Sequence, residues 1–386
     1  MVPQSYYRCW VEVDLDALRH NVALIRQRIG PQTKLMAVVK ADAYGHGLSQ
    51  VAGTLMQCDV DAFAVANLSE ALELRRLGGR GWPILLFGSA LSFELPKLVE
   101  QDIVPTISTL EEAALVNTEA ERQKKTVGVQ VEVDTGMGRV GFWYEDAAIQ
   151  IGKLATLPHL RIEGMYTHFP SADVNVNETR LELAAFMKVA HELETAGIKV
   201  PLLHAANSAA LLNLPDVTLG MVRPGLLLYG LCPIGCTASG YRPLLSFKSR
   251  VAFVKTVEAG RSISYGQTFV AKQHMKIATV TAGYSDGFSR TLSNRAEVLI
   301  GGKRCRVVGR VTMDQIMVDA SDVPEVHCGD EVVFIGRQSC PNGSKTETEI
   351  TAAEMAGWAD TIAWDILCGI TKTTRVPRVY SGANAA

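Results

Sequence analysis

The 386-residue sequence predicts an α/β protein, an N-terminal (β/α)8 TIM barrel followed by a mostly β C-terminal domain. Three observations lead there. The chain is too long for one ordinary hydrophobic core, which makes two domains the default. Eight short apolar runs alternate with amphipathic helical patterns between residues 35 and 222, the rhythm of strand–helix units in a parallel barrel. From about residue 244 that rhythm gives way to β-branched runs separated by glycine-rich turns. The boundaries read from this change are 10–243 for the barrel and 244–386 for the β domain, with residues 1–9 added to the latter.

Taken in order, residues 6–13, Tyr-Tyr-Arg-Cys-Trp-Val-Glu-Val, predict a strand ahead of the barrel. Leu18, Val22, Ile25 and Ile29 share one face of a helix that Asp14 or Asp16 opens and Gly30-Pro31 stops. The eight barrel runs are 35–39, 62–66, 83–87, 103–107, 127–133, 162–166, 201–206 and 218–222. Between them, Ser69 to Leu77 predicts a helix before Gly78-Gly79, and Ser108 with Glu111 a capping box. Leu183, Phe186, Ala190 and Leu193 form one stripe of a longer helix that stops at Gly197. Beyond the barrel, strands are expected at 251–257, 277–281, 297–300, 304–308 and 331–335, with Gly301-Gly302 as a two-residue hairpin turn. A short helix over roughly 351–368 interrupts them, and disorder is expected from Ser381 to Ala386.

Composition narrows the function. With 47% hydrophobic residues, 20% charged residues and a formal net charge of -2, the chain reads as a soluble globular enzyme. No Lys/Arg block or basic-aromatic stripe offers a surface to nucleic acid. No stretch has the form of a secretory leader or the length of a membrane span, so a cytoplasmic location is expected. The cysteines, at 9, 58, 232, 236, 305, 328, 340 and 368, are dispersed and are expected as reduced thiols. Cys232 and Cys236 are spaced like half a zinc site, which no second pair completes; no metal is expected.

Catalytic side chains of such a barrel come from the carboxyl ends of its strands, and those ends carry polar residues that a packed core does not need. Lys40 and Tyr44 follow the first run, Asp134 to Arg139 the fifth, His168 the sixth, His204, Asn207 and Ser208 the seventh, and Arg223-Pro-Gly225 the eighth. A partly desolvated amine at Lys40 can attack a carbonyl to form a Schiff base; a solvated lysine ending a strand is the alternative. His168 is equally a satisfied core histidine, Arg139 a surface ion-pair partner, and Asn207-Ser208 a helix cap. A phosphate would suit Ser208 at a helix opening, Gly225-Leu226 after the last strand and the phenol of Tyr44, since oriented N–H and O–H groups hold anions.

Seven stretches occur together: Ala37-Val-Val-Lys-Ala-Asp-Ala-Tyr-Gly-His-Gly47, Asp134-Thr-Gly-Met-Gly-Arg-Val-Gly141, His204-Ala-Ala-Asn-Ser208, Met221-Val-Arg-Pro-Gly225, Ser264-Tyr-Gly-Gln-Thr268, Gly309-Arg-Val-Thr-Met-Asp-Gln315 and Arg375-Val-Pro-Arg-Val-Tyr380. In this order they closely resemble the alanine racemase family, fold-type III pyridoxal-phosphate enzymes, from about residue 8 to 380. The resemblance implies a head-to-tail homodimer with shared active sites, acting on an amino acid to supply D-alanine for peptidoglycan. It implies that Lys40 holds pyridoxal 5'-phosphate and serves as the base on one face of the α-carbon. Tyr265 of the partner subunit would be the base on the other. Arg223 would bond the pyridine nitrogen, supported by His204, with His168 against the ring. Tyr44, Ser208, Gly225 and Leu226 would meet the cofactor phosphate, Asn207 would belong to the cofactor's site as well, and Arg139 and the backbone of Met313 would meet the substrate carboxylate.

Two positions depart from the family. Trp364 stands where a phosphate-binding tyrosine is usual, which changes a wall of the cofactor pocket. Glu132 stands where some members carry a carbamylated lysine, and Glu132 or a neighbour is expected to orient Arg139. The competing readings are a serine or broad-spectrum amino-acid racemase, which Trp364 keeps open, and a non-catalytic pyridoxal-phosphate carrier, against which Tyr265, Met313 and the β domain speak. A basic amino-acid decarboxylase would need carboxyl-terminal motifs that are absent here.

Overall fold

A computed structural model describes residues 6–236, 239–340, 347–370 and 375–382 of the chain. Two compact units emerge: one contains Ala17–Ala43 and Leu48–Pro243, the other the amino-terminal segment through Asp16, the short piece Tyr44–Gly47 and the chain from Leu244 onward.

The first unit is a closed parallel barrel. Its strands are β1 (Lys34–Val38), β2 (Ala62–Val65), β3 (Ile84–Leu86), β4 (Val104–Ile107), β5 (Val127–Asp134), β6 (Leu160–Tyr166), β7 (Leu203–His204) and β8 (Met221–Val222). Neighbours pair in parallel around the ring, β8 returning to β1 through Met221↔Lys34 and β4 meeting β5 through Thr106↔Gln130. The runs read at 201–206 and 218–222 shrink to two paired residues each. Polar and proline-bearing residues flank these last strands, and only their centres enter the ladder.

Helix α1 (Leu15–Ile29) precedes β1, and its predicted stripe of Leu18, Val22, Ile25 and Ile29 is buried. Around the barrel follow α2 (Leu48–Leu55), α3 (Leu68–Gly78), α4 (Leu95–Glu100), α5 (Leu110–Arg122), α6 (Ala147–Leu154), α7 (Val176–Thr195) and α8 (Ser208–Asn213). The capping box read at Ser108 and Glu111 lies one residue later: Thr109 Oγ1 accepts from the Glu112 N–H at 3.1 Å, and Glu112 returns a carboxylate oxygen to the Ser108 N–H at 2.8 Å. Both registers satisfy the sequence pattern; burial of Ala113 and Val116 selects the second. In α7 the buried face runs through Thr179, Glu182, Phe186, Val189 and Leu193, so Leu183 and Ala190 flank the stripe instead of forming it. A buried glutamate gave the sequence pattern no apolar signal.

The second unit is built on a mostly antiparallel sheet. The strand Cys9–Asp14 pairs with β9 (Leu245–Val257), which also pairs with β10 (Met275–Val280) and, later in the chain, with Glu331–Ser339. Strands β11 (Glu297–Ile300) and β12 (Lys303–Arg306) form the predicted hairpin, and Gly301 and Gly302 both take positive φ, 57° and 73°, as a tight two-residue turn requires. Strands β13 (Ile316–Asp319), β14 (Glu331–Ser339), β15 (Glu347–Ile350) and β16 (Arg378–Ser381) complete it, β16 lying parallel to Cys9–Asp14. The helix read over 351–368 is two helices, α9 (Ala352–Ala359) and α10 (Ala363–Gly369), because Asp360 adopts φ 59° and ends the first. Ser381, expected at the start of a disordered tail, instead ends β16; residues 383–386 lie outside the described residues. Among the described residues no helix is long and apolar enough to cross a membrane.

The cap register is testable by unfolding. Thr109→Ala is expected to lower the free energy of unfolding by about 1 kcal/mol, whereas Ser108→Ala, whose hydroxyl makes no hydrogen bond among the described residues, leaves it unchanged or slightly raised. The reverse ranking in urea melts would contradict the assignment.

Candidate functional site

Lys40 follows β1 where the backbone takes an unusual course. Ala41, Asp42 and Ala43 have φ 54° and Tyr44 has φ 53°, four successive non-glycine residues in the left-handed region. Each costs roughly 1–2 kcal/mol there, so the turn persists only because its surroundings hold it. Within the barrel unit the Asp42 N–H donates to Glu70 Oε1 at 3.2 Å, while Glu70 Oε2 accepts from the Ala66 N–H at 3.1 Å. Asp42 Oδ1 in turn accepts from the Leu48 N–H at 2.7 Å. Glu70, on α3, thus ties the exit of β2 to the turn that begins at Lys40.

Deeper in the barrel a buried polar chain fixes Arg223. Its Nη1 donates to His204 Nδ1 at 2.8 Å, and its Nη2 to the carbonyls of Thr167 and Ala205 at 2.7 and 3.1 Å. A guanidinium can only donate, so His204 Nδ1 is the acceptor and the proton sits on Nε2, which donates to Gln130 Oε1 at 2.5 Å. Burial and the adjacent Arg223 hold His204 well below its ordinary pKa, consistent with this neutral tautomer. Burial also lowers Arg223, to about 10, which leaves it charged near neutrality. The Tyr166 ring lies 5.0 Å from the Arg223 guanidinium and stacks on His204 at 5.0 Å. The Tyr166 hydroxyl donates to Glu132 Oε2 at 2.8 Å and meets Thr106 Oγ1 at 2.8 Å. Glu132 is raised by burial, with the Tyr166 hydrogen bond, Arg139 and Arg223 opposing. The expected orientation of Arg139 by Glu132 does not take the form of an ion pair among the described residues; the direct partner of Glu132 is Tyr166.

The loop after β5 carries Arg139 outward into solvent. Asp134 Oδ1 accepts from the Gly136 and Gly138 N–H groups at 2.9 and 3.1 Å, which fixes the loop's curvature. At the end of β6, His168 is lowered to about 3 by burial first, then by Arg223, Arg139 and Lys40. The imidazole therefore stays neutral near pH 7. Beneath the loop, Glu182 of α7 has Oε1 2.7 Å from where a Cβ on Gly136 would stand, and its buried Oε2 has no partner among the described residues. Burial, with Glu178 and Asp134 nearby, raises it to about 7.

At the start of α8, Asn207 caps the helix by accepting from the Ala210 N–H at 3.0 Å, while its amide donates to Phe169 O at 3.1 Å. Its local role is the structural one allowed by the sequence. Ser208 Oγ accepts from the Gly225 and Leu227 N–H groups at 3.0 and 3.3 Å, so its own hydroxyl proton remains available to an acceptor. Leu226 opens a short helical turn, Leu226–Tyr229, whose first N–H groups have no partner within the turn.

The second unit holds the other residues singled out by sequence. Tyr265 and Met313 are 71% and 53% exposed, unusual for large apolar side chains on ordered turns. The turn around Tyr265 is itself strained, with Ser264 at φ 65° and Gln267 at φ 52°, and Ser264 Oγ donates to Arg310 O at 2.6 Å. Met313 O accepts from the Ser285 N–H and Oγ at 3.1 and 2.7 Å, and a Cβ on Gly283 would collide with the Thr312 and Met313 carbonyls. Arg375 binds this pair of loops from outside, donating to Asp286 Oδ1 at 3.1 Å and Asp314 Oδ1 at 2.6 Å. Tyr44 is buried and its phenol is raised by burial, which keeps it a neutral donor. A Cβ on Gly45 would run into Leu367 O of α10, the helix that carries Trp364. Sequence reasoning missed Gln130, Tyr166, Glu70 and Glu182, and singled out Arg375 only as part of a motif. The first three occupy positions that read as strand core or helix surface, and only the polar residue inside an apolar run, Gln130, left a trace.

Comparison with known proteins bears on this arrangement. Residues 13–233 match the family model for the alanine racemase N-terminal domain and residues 244–380 that for its C-terminal domain. An alanine racemase from Halothermothrix orenii is 40% identical, the match covering 96% of this chain and 96% of that protein. The solved alanine racemase of Clostridium difficile 630 is similar with a TM-score of 0.90 and 37% identity, over 97% of this chain and 96% of that one. The alanine racemase of Bartonella henselae with covalently bound pyridoxal phosphate gives 0.87 and 26% identity, over 97% and 99%.

Glu182 makes the barrel's stability pH-dependent. A carboxyl held above its unfolded value of about 4.3 contributes stability that is complete below that pH and is lost as pH rises through the folded value of about 7. Urea melts of the native chain are therefore expected to lose on the order of 1–2 kcal/mol between about pH 5 and pH 7 through this group, and Glu182→Gln to remove that part of the slope. An identical slope in the variant would contradict the assignment.

Proposed function

The chain belongs to the alanine racemase family and is an amino-acid racemase, an isomerase; on that premise we propose that it interconverts L- and D-alanine by a pyridoxal 5'-phosphate-dependent, two-base mechanism. The observation that carries this is the buried Arg223, held by His204 Nδ1 and the Thr167 and Ala205 carbonyls at the strand ends that also deliver Lys40, His168 and Ser208. The cationic side chains that follow strands 1, 5 and 8, Lys40, Arg139 and Arg223, suit a ligand set with a phosphate and a carboxylate. The residues present fit the cofactor. Lys40 offers the amine, Ser208 a hydroxyl proton, the turn that opens after Gly225 the N–H of Leu226, Tyr44 a neutral phenol, and Arg223 a rigid donor for a ring nitrogen. When bound, pyridoxal 5'-phosphate supplies an aldehyde for Lys40 and a ring that withdraws electron density from the substrate α-carbon.

On this reading each chain residue has a defined task. Racemisation removes a proton from one face of a carbon and returns one to the other, so two bases on opposite sides are required. Lys40 serves one face and Tyr265 of the partner subunit the other, in a head-to-tail homodimer with shared sites. The exposure of Tyr265 and Met313 supports that sharing, since side chains on pinned turns that face away from their own unit are placed to serve another chain. Arg139 and the Met313 backbone hold the substrate carboxylate. Arg223 bonds the ring nitrogen and keeps its protons, which limits electron withdrawal and favours prompt return of the proton to carbon. His204 and Gln130 hold Arg223 in place, and His168 lies against the ring. Asn207 holds the start of α8 for Ser208, and Trp364 lines the cofactor pocket. Cofactor binding belongs to residues 10–243, and residues 244–386 with the amino-terminal strand complete the partner's site. The setting is cytoplasmic, where D-alanine feeds peptidoglycan synthesis.

The native protein is expected to carry a visible absorption band that Lys40→Ala abolishes, and to invert alanine faster than serine. A coloured protein that inverts neither would contradict the reading in favour of a carrier, and faster inversion of serine would favour the broader racemase. Tyr265→Phe is expected to slow solvent-deuterium exchange at the α-carbon of one enantiomer chiefly, by at least about 100-fold, as loss of a general base does. Equal slowing for both enantiomers would remove the two-base assignment.

A further inference from the structure

The Arg375-Val-Pro-Arg-Val-Tyr380 segment is the one stretch singled out by sequence that the proposed chemistry leaves unused. Arg378 and Tyr380 are alternate residues of β16 and therefore share a face of that edge strand. That face meets the turn that follows Tyr44. Arg378 Nε and Nη2 both donate to Gly45 O, at 3.1 and 3.0 Å, while Nη1 donates to Val376 O at 3.0 Å and Nη2 also to Ile370 O at 3.2 Å. The Tyr380 hydroxyl donates to His46 O at 3.2 Å.

The glycines complete the fit. A Cβ on Gly47, at φ 97°, would collide with the Tyr380 hydroxyl, and one on Gly45, at φ 82°, with Leu367 O of α10. Both glycines are therefore needed twice, for a backbone that L side chains rarely adopt and for the closeness of the approach. His46 is buried and its Nδ1 lies 3.0 Å from Tyr44 O, which ties the ring to the residue two positions earlier. Tyr44 itself holds a left-handed conformation that no side chain favours. A turn of this kind needs restraint from outside, and two successive carbonyls, Gly45 O and His46 O, receive it from one strand.

We propose that Arg378 and Tyr380 are positioning residues that hold the Tyr44–Gly47 turn so that the Tyr44 phenol stays aimed at the cofactor phosphate. The inference rests on the reading of Tyr44 as a phosphate contact. It assigns the carboxyl-terminal strand of each chain a role in its own cofactor affinity, separate from any service to a partner's site. Two charge-assisted N–H bonds on the turn's Gly45 carbonyl fix position more firmly than one hydroxyl on the His46 carbonyl, so Arg378 carries the larger share.

The test compares two cofactors that differ only in the phosphate. The full-length native protein, Tyr44→Phe, Arg378→Gln and Tyr380→Phe are stripped of cofactor and titrated with pyridoxal 5'-phosphate and with pyridoxal, following the visible absorption. Arg378→Gln is expected to weaken pyridoxal 5'-phosphate about tenfold and Tyr380→Phe about threefold, each with less than a twofold change for pyridoxal, and Arg378→Gln is expected to add little to Tyr44→Phe. Equal weakening of both ligands in Arg378→Gln and Tyr380→Phe would overturn the inference, since it marks general loosening of the fold. A phosphate-selective loss in Tyr44→Phe with none in either β16 variant would overturn it while leaving Tyr44 as a phosphate contact. No selective loss in Tyr44→Phe would remove the phosphate reading and this inference together. Should Arg378→Gln fail to fold, Tyr380→Phe, which deletes one hydroxyl, decides the outcome alone.

Discussion

A guanidinium withdrawn from water is the constraint around which the barrel's functional end is organised. Burying Arg223 is costly unless its donors and its charge are answered. Here two carbonyls and His204 take three of its hydrogen bonds, Tyr166 presents its ring face, and Glu132 supplies negative charge one hydroxyl away. Each answer dictates another residue's state. His204 must be neutral to accept at Nδ1, so Gln130 must present its oxygen; Tyr166 must donate outward, so Glu132 must be reachable. The chain of consequences crosses β5, β6, β7 and β8, and it makes the strand ends one rigid polar unit.

Strain concentrates after β1, the strand next to β8 in the ring. Four left-handed residues after Lys40 are uphill conformations, and within the barrel unit they are secured by Glu70 on the Asp42 N–H and by Asp42 Oδ1 on the Leu48 N–H. A guanidinium fixed by hydrogen bonds at Arg223 thus stands beside a fixed backbone at Lys40, and both depend on parallel strand pairing.

How much of this the sequence disclosed depends on the kind of signal each residue leaves. The barrel was legible because apolar runs of strand length recur at intervals, and the hairpin at Gly301-Gly302 because its turn chemistry is local. Lys40, His168, His204 and Arg223 were legible as polar residues at run ends. Glu132 was noticed only for its family position, and its bond to Tyr166 depends on two neighbouring strands that nothing local specifies. Glu182 was hidden by an amphipathic pattern that counts glutamate as surface, although it faces the loop glycines. The cap at Thr109 was ambiguous by one residue because Ser108-Thr109 and Glu111-Glu112 fit the same spacing twice, and packing of Ala113 and Val116 resolved it. The split between α9 and α10 was invisible because Asp360 carries no obligatory helix-breaking chemistry.

The central claim is that the two bases facing one α-carbon belong to different chains. Mixed dimers test it most directly: Lys40→Ala and Tyr265→Phe subunits, each nearly inactive alone, are refolded or co-expressed together and assayed for alanine inversion. If the sites are shared, the mixed dimer holds one site with both native bases, and activity returns well above the sum of the two parents. Activity no greater than that sum, with mixed dimers demonstrably formed, would contradict the account.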